Sequence, residues 1–231
     1  MKNTKVILPK AFIFDLDGTL LDSMPLWDDV YSAPFRDADI DVPEGYLLAV
    51  NHLSLKDCAD YTLKNTPLSI SEQKLVDIWN KHSRYAYENT VPLKEGAKEL
   101  LGFLHDNGVR LAVATALPYD LFVPCLKRLE VYGLFDCFVS TDDVSKGKDS
   151  PEVYLRAARK LGLQPSDCVV AEDSHIGIKS AKDAGFSTVG VYDKASEKYT
   201  DLIRSFSDFY AKSPSDIVQA LKDRKIINAK N

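Results

Sequence analysis

The sequence predicts an α/β protein: a doubly wound parallel sheet, Rossmann-like in its core, with a helical domain inserted near the start. Three observations predict it. Five short β-rich apolar runs recur along the 231 residues, and none shows strict alternation of apolar and polar positions. Continuous apolar strands belong to a parallel sheet covered on both faces. Helical segments separate the runs, whereas the interval from Asp22 to about Val91 holds no strand signal at all.

Taken in order, the first run is Ala11 to Phe14, and after it come four helical segments. Pro25 to Asp37, Glu44 to Val50, Leu55 to Asn65 and Glu72 to Asn89 carry the apolar spacing of helices, with Ser69-Ile70-Ser71-Glu72 as a capping box opening the last. An insert of this length is too long for a βα loop, so residues 23–90 are expected to form a separate cap domain and residues 1–22 with 91–231 the core. The remaining strands are Val109 to Ala114, Cys137 to Ser140, Cys168 to Ala171 and Ser187 to Tyr192. Helices Lys94 to Asn107, Pro151 to Leu161 and Ser174 to Ala184 stop at Gly108, Gly162 and Gly185, where a left-handed residue costs least. A last amphipathic helix spans Ser215 to Ile227.

Composition is that of a folded globular chain, with 45 % apolar and 27 % charged residues. The formal charge of -5 argues against nucleic acid as a partner, because phosphate-backbone binders carry a basic excess. Cys58, Cys125, Cys137 and Cys168 form no C-x-x-C pair and read as reduced core residues. Val6-Ile7-Leu8 is too short for a signal-peptide core and no apolar span reaches membrane length. A cytoplasmic monomer without membrane contact is expected.

The polar residues of interest fall where strands end. In an open parallel sheet, ligands bind outside the carboxyl ends of the strands, at the point where strand order reverses. Strand one runs into Asp15-Leu16-Asp17, strand two into Thr115-Ala116 and strand four into Glu172-Asp173, while Lys148 follows strand three. Aspartates two residues apart in an extended chain point the same way, and Gly18 then permits a sharp turn. Carboxylates so close repel unless a hard divalent cation relieves them, and oxygen ligands on Asp15, Asp17 and Asp173 suit Mg²⁺. Such a cation with Lys148 offsets the charge of an incoming phosphate, whose oxygens the Thr115 hydroxyl and the Ala116 N–H can hold. Phosphoryl transfer needs this kind of positioning and charge neutralisation. Asp15 is placed to attack phosphorus and Asp17 to act as general acid and base. Taken singly, each signal has a plainer reading: Asp-x-Asp-Gly as a turn, Thr115 as a loop residue, Lys148 as a solvated charge, Glu172-Asp173 as a helix cap. Their shared place at the ends of one sheet favours a site.

The segments DLDGTLLDS, VATA, GKDSPEVYL and AEDSHIGIKSA resemble, in order, the four motifs of the haloacid dehalogenase-like superfamily. The helical insert is similar to that family's four-helix cap, and the arrangement is closest to the β-phosphoglucomutase-like phosphatase subgroup. The resemblance implies Asp15 as nucleophile, Asp17 as acid/base and as a metal ligand through its backbone carbonyl, phosphate contacts from Thr115, Ala116 and Lys148, and metal binding by Asp173 helped by Glu172. The second aspartate disfavours the dehalogenase branch. DSMPLW is similar to the DSEPLW of sugar-phosphate phosphatases, with Met24 in place of glutamate. Mutases carry a histidine where this chain has Trp27 and an arginine near Leu55, and both are missing here. Asp149 stands where the family has proline after the motif lysine.

The function expected is a Mg²⁺-dependent phosphatase of a small phosphorylated metabolite, a sugar or polyol phosphate, with substrate choice in the cap. Trp27, His52 and Lys56 are the leading cap candidates, with Lys81, His82, Arg84 and Tyr85 beside them. A β-phosphoglucomutase-like phosphomutase is the alternative. A receiver-type phospho-acceptor domain shares the acidic pair, Thr and Lys, but places its accepting Asp on the third strand and has no helical insert.

Overall fold

The computed structural model describes residues 8–50 and 55–223, with the backbone alone for Leu55 and Lys56. The chain divides into two compact units, Met1–Asp22 with Pro92–Asn231, and Ser23–Val91.

The first unit is built on β1 (Ala11–Phe14), β2 (Arg110–Thr115), β3 (Cys137–Ser140), β4 (Cys168–Glu172), β5 (Ser187–Val191) and β6 (Phe209–Ala211). They form one parallel sheet in the order β3-β2-β1-β4-β5-β6. The chain steps outward from β1 to β3, then returns to the other side of β1, so strand order reverses between β1 and β4. Phe14 pairs with Val113 on one side and Ala171 on the other, which sets Asp15 next to the end of β4.

β1, β4 and β5 are buried at every position, because helices cover both faces. On one face Ala11, Ile13, Val139 and Val170 pack with Val153, Tyr154 and Ala157 of the helix Glu152–Lys160. Phe12 and Phe14 stack at 5.3 Å between ring centroids. The glycine stops act as expected: Gly108, Gly162 and Gly185 take φ of 75°, 71° and 88°. Val109 N–H then returns to the Leu104 carbonyl at 3.0 Å, closing the helix Ala97–Asp106.

The second unit holds α1 (Met24–Asp37), α2 (Tyr46–Val50), α3 (Leu55–Asn65) and α4 (Glu72–Asn89). Val30, Tyr31, Phe35, Tyr46, Leu75 and Trp79 belong to its own core. The cap of α4 is Ser71, whose hydroxyl accepts from Lys74 N–H at 3.2 Å, so the capping residue lies two positions past the predicted Ser69. Ser71 has the extended backbone that a cap requires, with φ -73° and ψ 155°.

Three elements were not expected from sequence. A helix over Tyr119–Arg128 carries Pro124 inside it, a helix over Thr200–Phe206 continues from a 3₁₀ turn over Glu197–Tyr199, and β6 is three residues long and half-buried at the sheet edge. The final helix runs Pro214–Lys222, and the predicted extension to Ile227 lies outside the described residues. Among the described residues no helix is long and apolar enough to cross a membrane.

Candidate active site

Asp15 leaves β1 with its N–H bonded to the Ala171 carbonyl at 3.0 Å, one residue beyond the paired strand. The chain then wraps tightly: the N–H groups of Thr19, Leu20 and Leu21 all point at the Leu16 carbonyl, at 3.2, 2.9 and 2.8 Å. Gly18 makes the turn with φ 74°. A Cβ there would also stand 2.5 Å from Asp173 Oδ2, so backbone conformation and close approach both require glycine. Asp17 sits in this turn, half-buried, bridged through its backbone to Leu21.

Lys148 reaches into the same place. Its Nζ pairs with Asp15 Oδ1 and, at 2.7 Å, with Glu172 Oε1. Glu172 is wholly buried and fully engaged: Oε1 also accepts from the Tyr154 hydroxyl at 2.9 Å, and Oε2 from Ser174 N–H at 2.8 Å. The Lys148 carbonyl is held by the Ser180 hydroxyl at 2.7 Å, so Asp149 in place of proline leaves the lysine inside the site. Ser174 caps the helix His175–Asp183 by accepting from Gly177 N–H at 3.0 Å, and a Cβ on Gly177 would strike Glu172. Asp173, 6 % exposed, accepts from Thr19 at 3.3 Å and from Ser196 at 3.0 Å.

The electrostatics follow from burying so many ionisable groups side by side. Burial raises the Asp15 carboxyl, Lys148 lowers it, Glu172 and Asp17 raise it again, and it settles at about 7. Burial followed by Glu172, Asp15 and Asp193 lifts Asp173 well above the carboxylate range. For Glu172 burial pulls upward, but Lys148 and the hydrogen bonds prevail and its pKa is lowered. Burial would lower Lys148, yet Asp15 and Glu172 together raise it. The cluster sets one ammonium against three buried carboxyl groups.

Oxygens of Asp15, Glu172 and Asp173 lie within 4.8 Å of one another, a donor set made only of hard carboxylates. That chemistry fits Mg²⁺ and does not fit a thiolate- or imidazole-seeking metal. A divalent cation would restore the balance that Lys148 alone leaves short.

Thr115 ends β2, buried, with its hydroxyl accepting from Leu117 N–H at 3.1 Å. Ala116 is exposed beside it. The loop is tied to the end of β3: Ser140 Oγ donates to the Leu117 carbonyl at 2.7 Å and Thr141 Oγ1 to that of Ala116 at 3.4 Å. Tyr119 adds a bond to Asp143 at 2.6 Å.

Of the residues chosen from sequence, Asp15, Lys148, Glu172 and Asp173 meet in one cluster, with Asp17 in the adjoining turn and Thr115 and Ala116 at the end of neighbouring β2. Trp27 lies on α1 in the helical unit, half-buried, 5.7 Å from the Tyr31 ring. Lys81, Arg84 and Tyr85 are exposed on α4, and His82 is half-buried. His52 and the side chain of Lys56 lie outside the described residues. Tyr154, Thr19 and Ser196 were missed, although Tyr154 and Thr19 stand inside the quoted motifs. Only the placement of Glu172 and Asp173 gives them a polar partner.

Fold and site together define a doubly wound α/β protein with a buried acidic cluster, braced by a lysine, at the strand-order reversal. The model of the haloacid dehalogenase-like hydrolases matches residues 9–185, and the chain belongs to that family. Its subgroup is the β-phosphoglucomutase-like one. The chain is 28 % identical over 232 residues to a phosphorylated carbohydrates phosphatase of Thermotoga maritima, covering 95 % of this chain and 97 % of that protein. It is 30 % identical over 183 residues to hexitol phosphatase B of Escherichia coli K12, covering 78 % and 82 %. The crystal structure of a protein described as a β-phosphoglucomutase from Thermotoga maritima superposes with a TM-score of 0.80 at 26 % identity, over 93 % of this chain and 99 % of that one. The chain is an enzyme, a hydrolase of the phosphomonoesterase branch that these relatives represent.

Proposed function

We propose that this enzyme is a Mg²⁺-dependent phosphatase acting on a small phosphorylated metabolite, a sugar or polyol phosphate, through an aspartyl phosphate on Asp15. The observation that carries the reading is Lys148 paired at once with Asp15 and Glu172, with Asp173 beside them at the strand-order reversal. Asp15 and Asp173 would hold the cation, with the Asp17 carbonyl, and Glu172 would contribute while orienting Lys148. When bound, Mg²⁺ supplies positive charge against the phosphate oxygens. A carboxylate oxygen of Asp15 attacks phosphorus, the bond from phosphorus to the substrate oxygen breaks, and Asp17 gives that oxygen a proton. Asp17 then takes a proton from water as it attacks the same phosphorus, releasing inorganic phosphate and freeing Asp15. Lys148, Thr115 and the Ala116 N–H bind the phosphoryl oxygens throughout.

The relatives' names support sugar and polyol phosphates as the substrate class. Substrate selection is assigned to the helical unit, in which Trp27 is the leading candidate. Cys58, Cys125, Cys137 and Cys168, three of them buried and none in a disulfide, accord with a reducing, cytoplasmic setting. A phosphomutase would share Asp15 and Asp17 but return the phosphoryl group to the sugar. Product analysis over a panel of hexose, pentose and polyol phosphates tests the choice. Free phosphate with dephosphorylated sugar is the expected result, and isomerised sugar phosphate without free phosphate would establish the mutase instead.

A further inference from the structure

Asp173 is gripped from two directions. Thr19, in the turn after β1, donates to Oδ1 at 3.3 Å, and Ser196 donates to Oδ2 at 3.0 Å. Ser196 comes from the loop after β5, a segment in which the family motifs place nothing and whose residues would otherwise read as a surface turn.

That loop is fixed in position. Asp193 is 6 % exposed and pairs with Lys94 Nζ at 2.8 Å, while the same Nζ donates to the Tyr192 carbonyl at 2.7 Å. Asp193 in turn accepts from Ala195 N–H at 2.8 Å, and its carbonyl from Ser196 N–H at 3.2 Å. Tyr199 N–H closes the turn on the Ser196 carbonyl at 2.8 Å. A buried ion pair is poor evidence for stability, since desolvation cancels much of its attraction, but it fixes geometry well. Here the geometry it fixes is that of the Ser196 backbone, one hydroxyl away from Asp173. Burying Asp193 near Asp173 also adds like charge to the cluster. An arrangement with that cost is explained if the loop has to stand where it does.

We propose that Ser196 is a positioning residue for the metal site: its hydroxyl sets the orientation in which Asp173 presents its carboxylate, and the Lys94–Asp193 pair holds Ser196 in place. The inference rests on the reading of Asp173 as a Mg²⁺ ligand. Hydrogen-bond partners of metal ligands commonly change metal affinity by about 10- to 100-fold when removed, because the ligand then has to be ordered at the moment of binding.

Titration calorimetry of the metal-free protein with Mg²⁺ tests it, using native protein, Ser196→Ala, Ser196→Thr and Asp173→Asn, with urea unfolding of each in chelator. The alanine variant is expected to bind Mg²⁺ about 10- to 100-fold more weakly, with its unfolding midpoint in chelator unchanged. Threonine, which keeps the hydroxyl, is expected to restore native affinity, and Asp173→Asn to abolish binding. Native affinity in the alanine variant, alongside lost binding in Asp173→Asn, would overturn this inference and leave the metal reading standing. So would weakened binding that merely tracks a lower midpoint in chelator, since Ser196 would then be structural. Native protein that binds no Mg²⁺, or an Asp173→Asn variant that binds normally, would remove the metal reading and this inference together.

Discussion

Lys148 Nζ lies 2.7 Å from Glu172 Oε1 and is paired at the same time with Asp15, so one ammonium, on a side chain 14 % exposed, holds two buried carboxylates. The arrangement is asymmetric in its energetics. Removing a lysine of this kind strands its partners, and truncating one side of a buried ion pair typically costs about 3–5 kcal/mol. Lys148→Met is therefore expected to lower folding stability by about that amount in chelator, as read by urea unfolding. A midpoint equal to the native one would show that the carboxylates are hydrated or protonated at no cost, contrary to this account.

Gly18 should tolerate no side chain. Its φ of 74° and the 2.5 Å approach of an added Cβ to Asp173 Oδ2 act together, whereas Gly108, at φ 75°, has open space around the same position. Gly108→Ala is expected to cost only the left-handed backbone strain, about 1–2 kcal/mol. Gly18→Ala is expected to cost more than that and to weaken Mg²⁺ binding, because Asp173 has to move. Equal losses in the two variants would mean that the close approach carries no weight.

Acid sensitivity is expected at Asp143, which is not part of the Asp15–Glu172–Asp173 cluster. Burial pushes its carboxyl up, but the Tyr119 hydroxyl and Ser140 N–H bind the charged form and hold the pKa below the usual value. With the folded pKa depressed, the contribution to stability is present above the unfolded value of about 3.9 and disappears as pH falls through the folded one. Native protein should therefore lose stability below about pH 4 more steeply than Asp143→Asn. Parallel melting curves for the two between pH 5 and 3, roughly spanning the carboxylate range, would contradict the assignment.

Much of this molecule could be read before its structure. β1 to β5 are continuous apolar runs, and a fully buried parallel strand needs little else to declare itself. Asp15, Lys148, Glu172 and Asp173 were legible because polar groups at strand ends are conspicuous against those runs. β6 escaped notice because Phe209-Tyr210-Ala211 is too short and too exposed to differ from loop, and the helix over Tyr119–Arg128 because Pro124 reads as a breaker. Ser71 displaced Ser69 as the cap through backbone conformation, which composition does not reveal. Tyr154 and Ser196 gained their roles from partners 18 and 23 residues away, and no local pattern encodes such a contact.

The central claim is that Asp15 attacks phosphorus with a metal's help. The direct measurement is phosphate release from the best substrate of the sugar and polyol panel, by native protein and by Asp15→Asn, each with Mg²⁺ and with chelator. Release by native protein with Mg²⁺ alone, and by the variant under neither condition, is the result predicted here. Release by Asp15→Asn at the native rate, or release that persists in chelator, would contradict it.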